Sequence, residues 1–400
     1  MVLFIMLFQN ATVFTGDQLL SGYDVLIERG QISAISTDLL DATTEQVIDL
    51  NGDYLVPGFI DLQLYGGSEA FLNETPTPDA IRQIFDSHAR NGTTTLLPTM
   101  HSDTLAQMQQ AMAAIATVRD AMPLNVPGIH LEGPYFNPVK RGAHRAALVR
   151  TPAEGELEAL FSTNADVIRI LTAAPEVLSD EQLALLNQLK HPDTLLSLGH
   201  SNATYQQATD AFNGAGASPV FTLATHLYNA MRGFESREPG TVGAIFDHPT
   251  VACSIIADGY HCAPAAIRMA HRLLGPDRLF MICDALFANP PRPTFALGDF
   301  IVSYEPGSGT PDEPLHGRYV SHEGKLGGTA ITLADCVRYA VDTVDLPLTD
   351  VLRMASTTPA RLIGLDTQIG HIKAGYVANL VHLDRSLTVK GVWIDGEALA

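Results

Sequence analysis

The chain has 400 residues, 46% of them hydrophobic, and its 24 Lys and Arg against 44 Asp and Glu give a formal charge of −20. That length admits a barrel of about 250 residues with an appended module, and so acidic a balance argues against a nucleic-acid footprint or attraction to an anionic membrane. Four cysteines, Cys253, Cys262, Cys283 and Cys336, show no C-x-x-C spacing and sit in apolar segments, so neither a disulfide framework nor a thiolate metal site is expected, and a reducing cytoplasm fits.

The opening residues 1–8 are apolar, but no Lys or Arg precedes Arg29 and no small-residue cleavage pattern follows. The run is too short to span a bilayer and reads as an N-terminal strand. Short β segments follow at 12–14, 23–28, 31–35 and 46–50, separated by Arg29-Gly30 and Asn51-Gly52. Residues 378–383 and 389–394 repeat this texture. Both ends together predict one small β-sandwich, built from 1–54 and 376–400 around a different middle at 55–375.

From Pro57 on, apolar runs alternate with amphipathic stretches, the pattern of a parallel α/β fold. Strands are expected at 58–64, 93–99, 128–131, 167–173, 195–199, 220–225, 252–257 and 279–283, which makes eight and predicts a (β/α)8 barrel of the TIM type. Helices are expected at 80–90, closed by Asn91-Gly92, at 179–190, opened by a Ser/Asp cap, and at 264–274, ended by Gly275-Pro276. Residues 289–317 carry Pro290, Pro291, Pro293, Pro306, Pro311 and Pro314; this segment is either a surface hairpin of no consequence or a loop over the site.

Three of these runs end in a metal-capable side chain just where turn residues begin: Glu132 before Gly133-Pro134, His200 after Gly199, and His226 after Thr225. A parallel barrel presents its chemistry at the carboxyl ends of its strands. Singly each residue reads as a turn former or a hydrogen-bonded structural histidine; jointly they read as one metal site. A divalent cation on one carboxylate and two imidazoles keeps positions open for water, whose pKa falls from 15.7 towards about 7. Asp284, ending a further run, is the free carboxylate that could take the water's proton and deliver it to a leaving amine; its plainer reading is a turn aspartate capping the next segment. Asp258-Gly259-Tyr260-His261 ends the seventh strand and places His261 as a carbonyl polariser or substrate donor. Asn229 and Arg237, on the loop after His226, are of the types that hold phosphate, against the plainer reading of a capped loop with a surface arginine.

Pro57-Gly58-Phe59-Ile60-Asp61, His130-Leu131-Glu132-Gly133-Pro134, Gly199-His200-Ser201-Asn202-Ala203, Thr225-His226-Leu227-Tyr228-Asn229-Ala230-Met231, Arg237-Glu238-Pro239-Gly240, Ala257-Asp258-Gly259-Tyr260-His261 and Leu326-Gly327-Gly328-Thr329-Ala330 occur in this order. The combination resembles the N-acetylglucosamine-6-phosphate deacetylase family of the amidohydrolase superfamily, from about Asp17 through residues 374–380. The resemblance implies Glu132, His200 and His226 as metal ligands and Asp284 as the catalytic aspartate. It implies substrate contacts at Ala143, His144, Asn229, Ala230, Arg237, Asp258, Gly259, Tyr260, His261, Leu326, Gly327 and Gly328. It also implies a homodimer in which Arg237 reaches the phosphate of the neighbouring subunit's substrate.

The reaction implied is deacetylation of N-acetylglucosamine 6-phosphate to glucosamine 6-phosphate and acetate, with hydroxide generated at the metal attacking the acetamide carbonyl and Asp284 as general base and acid. N-acetylgalactosamine 6-phosphate is the alternative substrate, and a catalytically inactive sugar-phosphate-binding protein is the alternative of another class. Many amidohydrolases place His-x-His after the first strand for a second metal, whereas here Gln63 and Tyr65 stand at those positions. One divalent metal per subunit is therefore expected, Zn²⁺ first, with Fe²⁺, Mn²⁺ or Co²⁺ also suited to the ligands. A dihydroorotase-like hydrolase is disfavoured by the same absence and by residues 172–176, which contain no lysine. The Pro-rich segment is longer than the family's and bears on which sugar is accepted.

Overall fold

The computed structural model describes residues 5–39, 46–214, 221–288, 291–307 and 317–399. Residues 1–4 of the expected first strand, Val220 of the sixth, and Asn289, Pro290 and 308–316 of the Pro-rich segment lie outside them. The chain opens with β1 (Ile5–Phe14), β2 (Leu19–Glu28), β3 (Gln31–Ser36), β4 (Gln46–Asp49) and β5 (Tyr54–Pro57). Asn10 adopts φ 56°, a left-handed turn that asparagine tolerates, and the register of β1 shifts there. The first half of β1 consequently pairs in parallel with β4 and the second half with β5, which folds one sheet into two layers. Asn10 fixes the bend by bonding Asp24 through its N–H (3.1 Å) and Asp49 through its amide (2.9 Å).

Eight parallel strands follow: β6 (Phe59–Leu64), β7 (Thr93–His101), β8 (Ile129–Glu132), β9 (Ile168–Ala173), β10 (Leu195–Leu198), β11 (Leu223–Ala224), β12 (Ala252–Ile256) and β13 (Leu279–Ile282). They pair in sequence order, and the ring closes where Asp284 N–H donates to the Gln63 carbonyl (3.0 Å) and Tyr65 N–H to that of Ala285 (2.8 Å). Several helices between them start at capped residues, among them Thr77 before Pro78–Ala89 and Ser179, whose box with Gln182 opens Asp180–Leu189. The helix Pro264–Arg278 breaks at Gly275 (φ 66°), where Gly275-Pro276 was expected to end it. Inside the barrel Ile60, Leu62, Leu97, Ile170, Leu223, Phe280 and Ile282 pack together, and Ile363 and Ile369 join them. Nearer the mouth runs a buried polar chain. The Leu62 carbonyl takes the proton of His130 Nδ1 (2.9 Å), so Nε2 accepts from Thr172 (2.7 Å); Thr225 must then donate to Thr172 (2.9 Å) and Ser197 to Thr225 (2.6 Å).

The Pro-rich segment is neither an idle hairpin nor a bare loop. It supplies β14 (Thr294–Leu297) and β15 (Phe300–Glu305) to an antiparallel sheet that β16 (Arg318–Ser321) and β17 (Leu326–Thr329), just beyond the segment, complete. The sheet's apolar face, with Phe295, Leu297, Val302 and Tyr319, packs on Tyr65, Phe71, Leu286 and Phe287 and thereby covers the barrel mouth. Gly328 (φ 57°) allows the closest approach, since a Cβ there would lie 2.7 Å from Leu286 and 3.0 Å from the Asp284 carbonyl.

The chain then returns through β18 (Leu380–Leu383), which pairs antiparallel with β5, and through β19 (Val389–Ile394) and β20 (Glu397–Ala398). The sandwich is thus assembled from both termini over a core of Met6, Phe8, Val13, Val25, Ile27, Leu55, Leu380 and Trp393. No helix among the described residues is long and apolar enough to cross a membrane. Phe8 is fully buried with its ring edge-on to Trp393 at 4.7 Å. Phe8→Ala should lower stability by about 3–5 kcal/mol, as large-to-small core changes do. Chemical denaturation checks this; an unchanged midpoint would mean that the two-ended sandwich contributes nothing to the chain's stability.

Candidate active site

Three strand ends turn sharply into the barrel mouth. His200, His226 and Asp284 have φ 50°, 38° and 56°, left-handed values that cost non-glycine residues about 1–3 kcal/mol each and persist only when their surroundings hold them. The holding bonds are present: Asn137 N–H to the His200 carbonyl (3.0 Å), His226 N–H to Ser254 Oγ (2.7 Å), and Thr329 N–H to the Asp284 carbonyl (3.0 Å). Each kink carries its side chain over the mouth towards Glu132, the last residue of β8.

Glu132, His200 and His226 are all buried, and their ligand atoms lie within 4.8 Å of one another, a set that could hold a metal ion. Proton placement shows why a cation fits. The Lys140 carbonyl, 2.8 Å from His200 Nδ1, can only accept, so the proton is on Nδ1 and Nε2 presents a lone pair. That lone pair faces Glu132 Oε1 at 3.3 Å and His226 Nε2 at 3.1 Å, while His226 Nε2 is 3.1 Å from the same oxygen. One proton on His226 cannot satisfy all three contacts. A divalent cation among one carboxylate oxygen and two imidazole nitrogens would satisfy them, and this donor set suits Zn²⁺ and its neighbours in the first transition row.

Asp284 stands beside this cluster. Gln63 Nε2 lies 2.9 Å from Glu132 Oε1, from Asp284 Oδ1 and from the Tyr65 hydroxyl, so one amide ties both carboxylates together. Burial, aided by the nearby Glu132 charge, pushes the Asp284 carboxyl up to about 7 against the opposing pull of His226 and His261. A cation on Glu132, His200 and His226 would draw it back down. His261 Nδ1–H donates to Asp258 Oδ2 at 2.6 Å, which leaves Nε2 as its second polar atom. Burial alone would lower the His261 pKa, but the Asp258 charge and hydrogen bond raise it above the usual value.

Around these groups one cavity is lined by Ala143, His144, Asn229, Ala230, Leu326, Gly327 and Gly328, together with Glu132, His200, His226, Asp284 and His261. Other expected contacts stand elsewhere. Asp258, which is bonded to His261, does not line the cavity, nor do Gly259 and Tyr260, and the Tyr260 ring lies under the Arg318 guanidinium at 4.9 Å. Arg237 is exposed on the loop after β11 and does not line the cavity. Sequence reasoning missed Tyr65, His101, Gly142 and Ile256 as lining residues. His101 was hidden because β7 runs two residues beyond its expected end. There the Asn73 side chain bonds both the N–H (3.0 Å) and the carbonyl (3.2 Å) of residue 101, as a neighbouring strand would.

The sequence profile of the amidohydrolase family matches residues 54–399. An N-acetylgalactosamine-6-phosphate deacetylase of Shewanella sp. (strain ANA-3) is 37% identical over 352 residues, 88% of this chain and 84% of that protein. The crystal structure of N-acetylglucosamine-6-phosphate deacetylase from Pasteurella multocida is similar at TM-score 0.90 and 32% identity, over 99% of this chain and 100% of that one. A mutant of the Mycobacterium smegmatis N-acetyl-D-glucosamine-6-phosphate deacetylase, in complex with N-acetyl-D-glucosamine-6-phosphate, is similar at TM-score 0.84 and 30% identity, over 98% and 99% of the two chains.

The facing lone pairs generate a prediction. Chelator-stripped protein should gain about 2.7 kcal/mol of stability when free Zn²⁺ or Co²⁺ reaches about 100 times its Kd. Glu132→Gln, His200→Asn and His226→Asn should each lose that gain in calorimetric melts; an equal gain in all three would place the cation elsewhere.

Proposed function

The chain belongs to the amidohydrolase family, and on that basis we propose that it hydrolyses the acetamide of N-acetylglucosamine 6-phosphate to glucosamine 6-phosphate and acetate. The observation that carries this reading is the convergence of Glu132, His200 and His226 with Asp284 and His261 on one cavity. A binding protein that had lost catalysis would not need both an acid/base group and a full ligand set. N-acetylgalactosamine 6-phosphate is the second reading, and the 37% identity to a deacetylase named for that sugar favours it.

Glu132 Oε1, His200 Nε2 and His226 Nε2 would hold one divalent cation. When bound, it supplies acidity to a coordinated water and polarises the acetyl carbonyl. The remaining work falls to the chain's own groups. Gln63 orients Asp284 so that its carboxylate can take the water's proton and later hand it to the departing nitrogen, bond formation at the carbonyl carbon being followed by cleavage of C–N. His261, held by Asp258, donates to the carbonyl oxygen as charge develops there. The sheet β14–β17 contributes Leu326, Gly327 and Gly328 as a cover over the sugar and restricts water to the mouth.

The phosphate requires a cation set against a formal charge of −20. Arg237 is exposed and does not line the cavity, in keeping with a homodimer in which it serves the partner's substrate. All four cysteines are buried and unpaired, in keeping with a cytoplasmic enzyme.

Asp284→Asn preserves shape but not proton transfer and should cost about 10²–10⁴-fold in turnover with cation content unchanged. Retention of about a tenth or more of wild-type turnover, against that expected loss, would remove Asp284 from the acid/base role. Arg237→Ala should raise KM for the phosphorylated sugar and barely affect unphosphorylated N-acetylglucosamine. Heterodimers of Arg237→Ala with Asp284→Asn should regain activity, because one of their two sites then has both groups intact. If verified heterodimers of folded, inactive parents stay inactive, Arg237 does not act across an interface.

A further inference from the structure

We propose that His144 is a positioning residue for Glu132: with Tyr65 it holds the second carboxylate oxygen as a hydrogen-bond acceptor, so that Glu132 offers a metal only Oε1. This rests on the reading that Glu132, His200 and His226 hold a divalent cation. The two oxygens of Glu132 have different neighbours. Oε1 meets Gln63 Nε2 at 2.9 Å, His226 at 3.1 Å and His200 at 3.3 Å. Oε2 meets the Tyr65 hydroxyl at 2.5 Å and His144 Nε2 at 3.2 Å, with His101 Nε2 at 4.0 Å.

By distance alone, His101, Glu132 and His144 form a second group able to hold a cation, their ligand atoms lying within 4.8 Å of one another. The position of one proton decides otherwise. The backbone N–H of Ser102 donates to His144 Nδ1 at 3.1 Å, and a backbone N–H cannot accept. Nδ1 is therefore the bare nitrogen of that ring, and the proton sits on Nε2, facing Glu132 Oε2. A nitrogen that carries a proton has no lone pair for a metal. Ser102 Oγ, 2.9 Å from the same Nδ1, can add a second donor from the same residue.

This placement has two consequences. Both polar atoms of His144 are engaged, Nδ1 by Ser102 and Nε2 by Glu132, so its ring has none left for a sugar hydroxyl even though it lines the cavity. And a carboxylate whose Oε2 accepts two hydrogen bonds is discouraged from chelating one cation through both oxygens or bridging two. His101 stacks on Tyr65 with ring centroids 4.1 Å apart and completes the wall without bonding Oε2. Outer partners of this kind commonly change metal affinity about 10–100-fold.

The test uses the full chain stripped of metal and reloaded with Co²⁺, whose visible absorption reports coordination number and geometry. The wild type should bind one equivalent. His144→Leu and Tyr65→Phe should each weaken Co²⁺ binding by about 10–100-fold and alter the spectrum, whereas His144→Gln, with an amide donor near the place of Nε2, should restore much of both. A His144→Leu variant with wild-type Co²⁺ affinity and spectrum but a raised KM would overturn the proposal and make His144 a sugar contact. A second equivalent in the wild type that is lost in His144→Leu would overturn it in favour of a second cation site. Should His144→Leu fail to fold, Tyr65→Phe, which deletes one oxygen, decides by the same two readouts. No Co²⁺ binding by the wild type would instead defeat the underlying metal reading.

Discussion

A carboxylate buried to 1% exposure at the mouth of a barrel cannot keep its charge without partners, and most of this site can be understood as the set of partners that Glu132 requires. Burial by itself would push its proton affinity up, yet hydrogen bonds from His144 and His226 hold its pKa well below the usual carboxylate range. The side chains around Glu132 arrive on different loops. His144 follows β8, His200 ends β10, His226 ends β11, and Gln63 and Tyr65 come from β6 and the turn after it. The barrel is what brings such sequence-distant residues to one carboxylate, and the carboxylate in turn constrains how their side chains can lie.

Closure of the barrel and construction of the site are the same event. The eighth strand meets the first through Asp284 N–H and the Gln63 carbonyl, and the side chains of these two residues bond each other at 2.9 Å. Beneath them Asp61, fully buried, accepts from the N–H of Gln63 and of Cys283 and so locks both strands in register. The sheet β14–β17 then fastens to this seam, since Leu286 N–H donates to the Thr329 carbonyl and Thr329 N–H to that of Asp284 (3.0 Å each). The cover is thereby anchored to the backbone of Asp284 itself.

Much of this was legible in the sequence because barrel strands buried on both faces leave apolar runs, and the turn residues that end them mark where functional side chains must stand. Glu132, His200, His226 and Asp284 were found that way. The left-handed backbone of the last three was not, since histidine and aspartate carry no glycine-like signal of it. His101 escaped because a side chain, Asn73, prolongs the strand. Gln63 and Tyr65 were read as the absence of a second metal site, whereas they hydrogen-bond directly to Glu132; hydrogen bonding across 69 and 67 positions leaves no local trace. The Pro-rich segment hid its strands because prolines obscure alternation, though 294–297 and 300–305 do alternate in burial.

The central claim is that a cation-loaded site on this scaffold cleaves the N-acetyl group of a hexosamine 6-phosphate. It is tested most directly by measuring acetate and free amine after the metal-loaded protein meets N-acetylglucosamine 6-phosphate, N-acetylgalactosamine 6-phosphate and their unphosphorylated counterparts. The account predicts equimolar acetate and amine from at least one phosphorylated sugar, far slower release from its unphosphorylated form, and loss of both after chelation. Tight binding of either phosphate by the loaded protein with no acetate released from any of the four would contradict it and leave a sugar-phosphate-binding protein in its place.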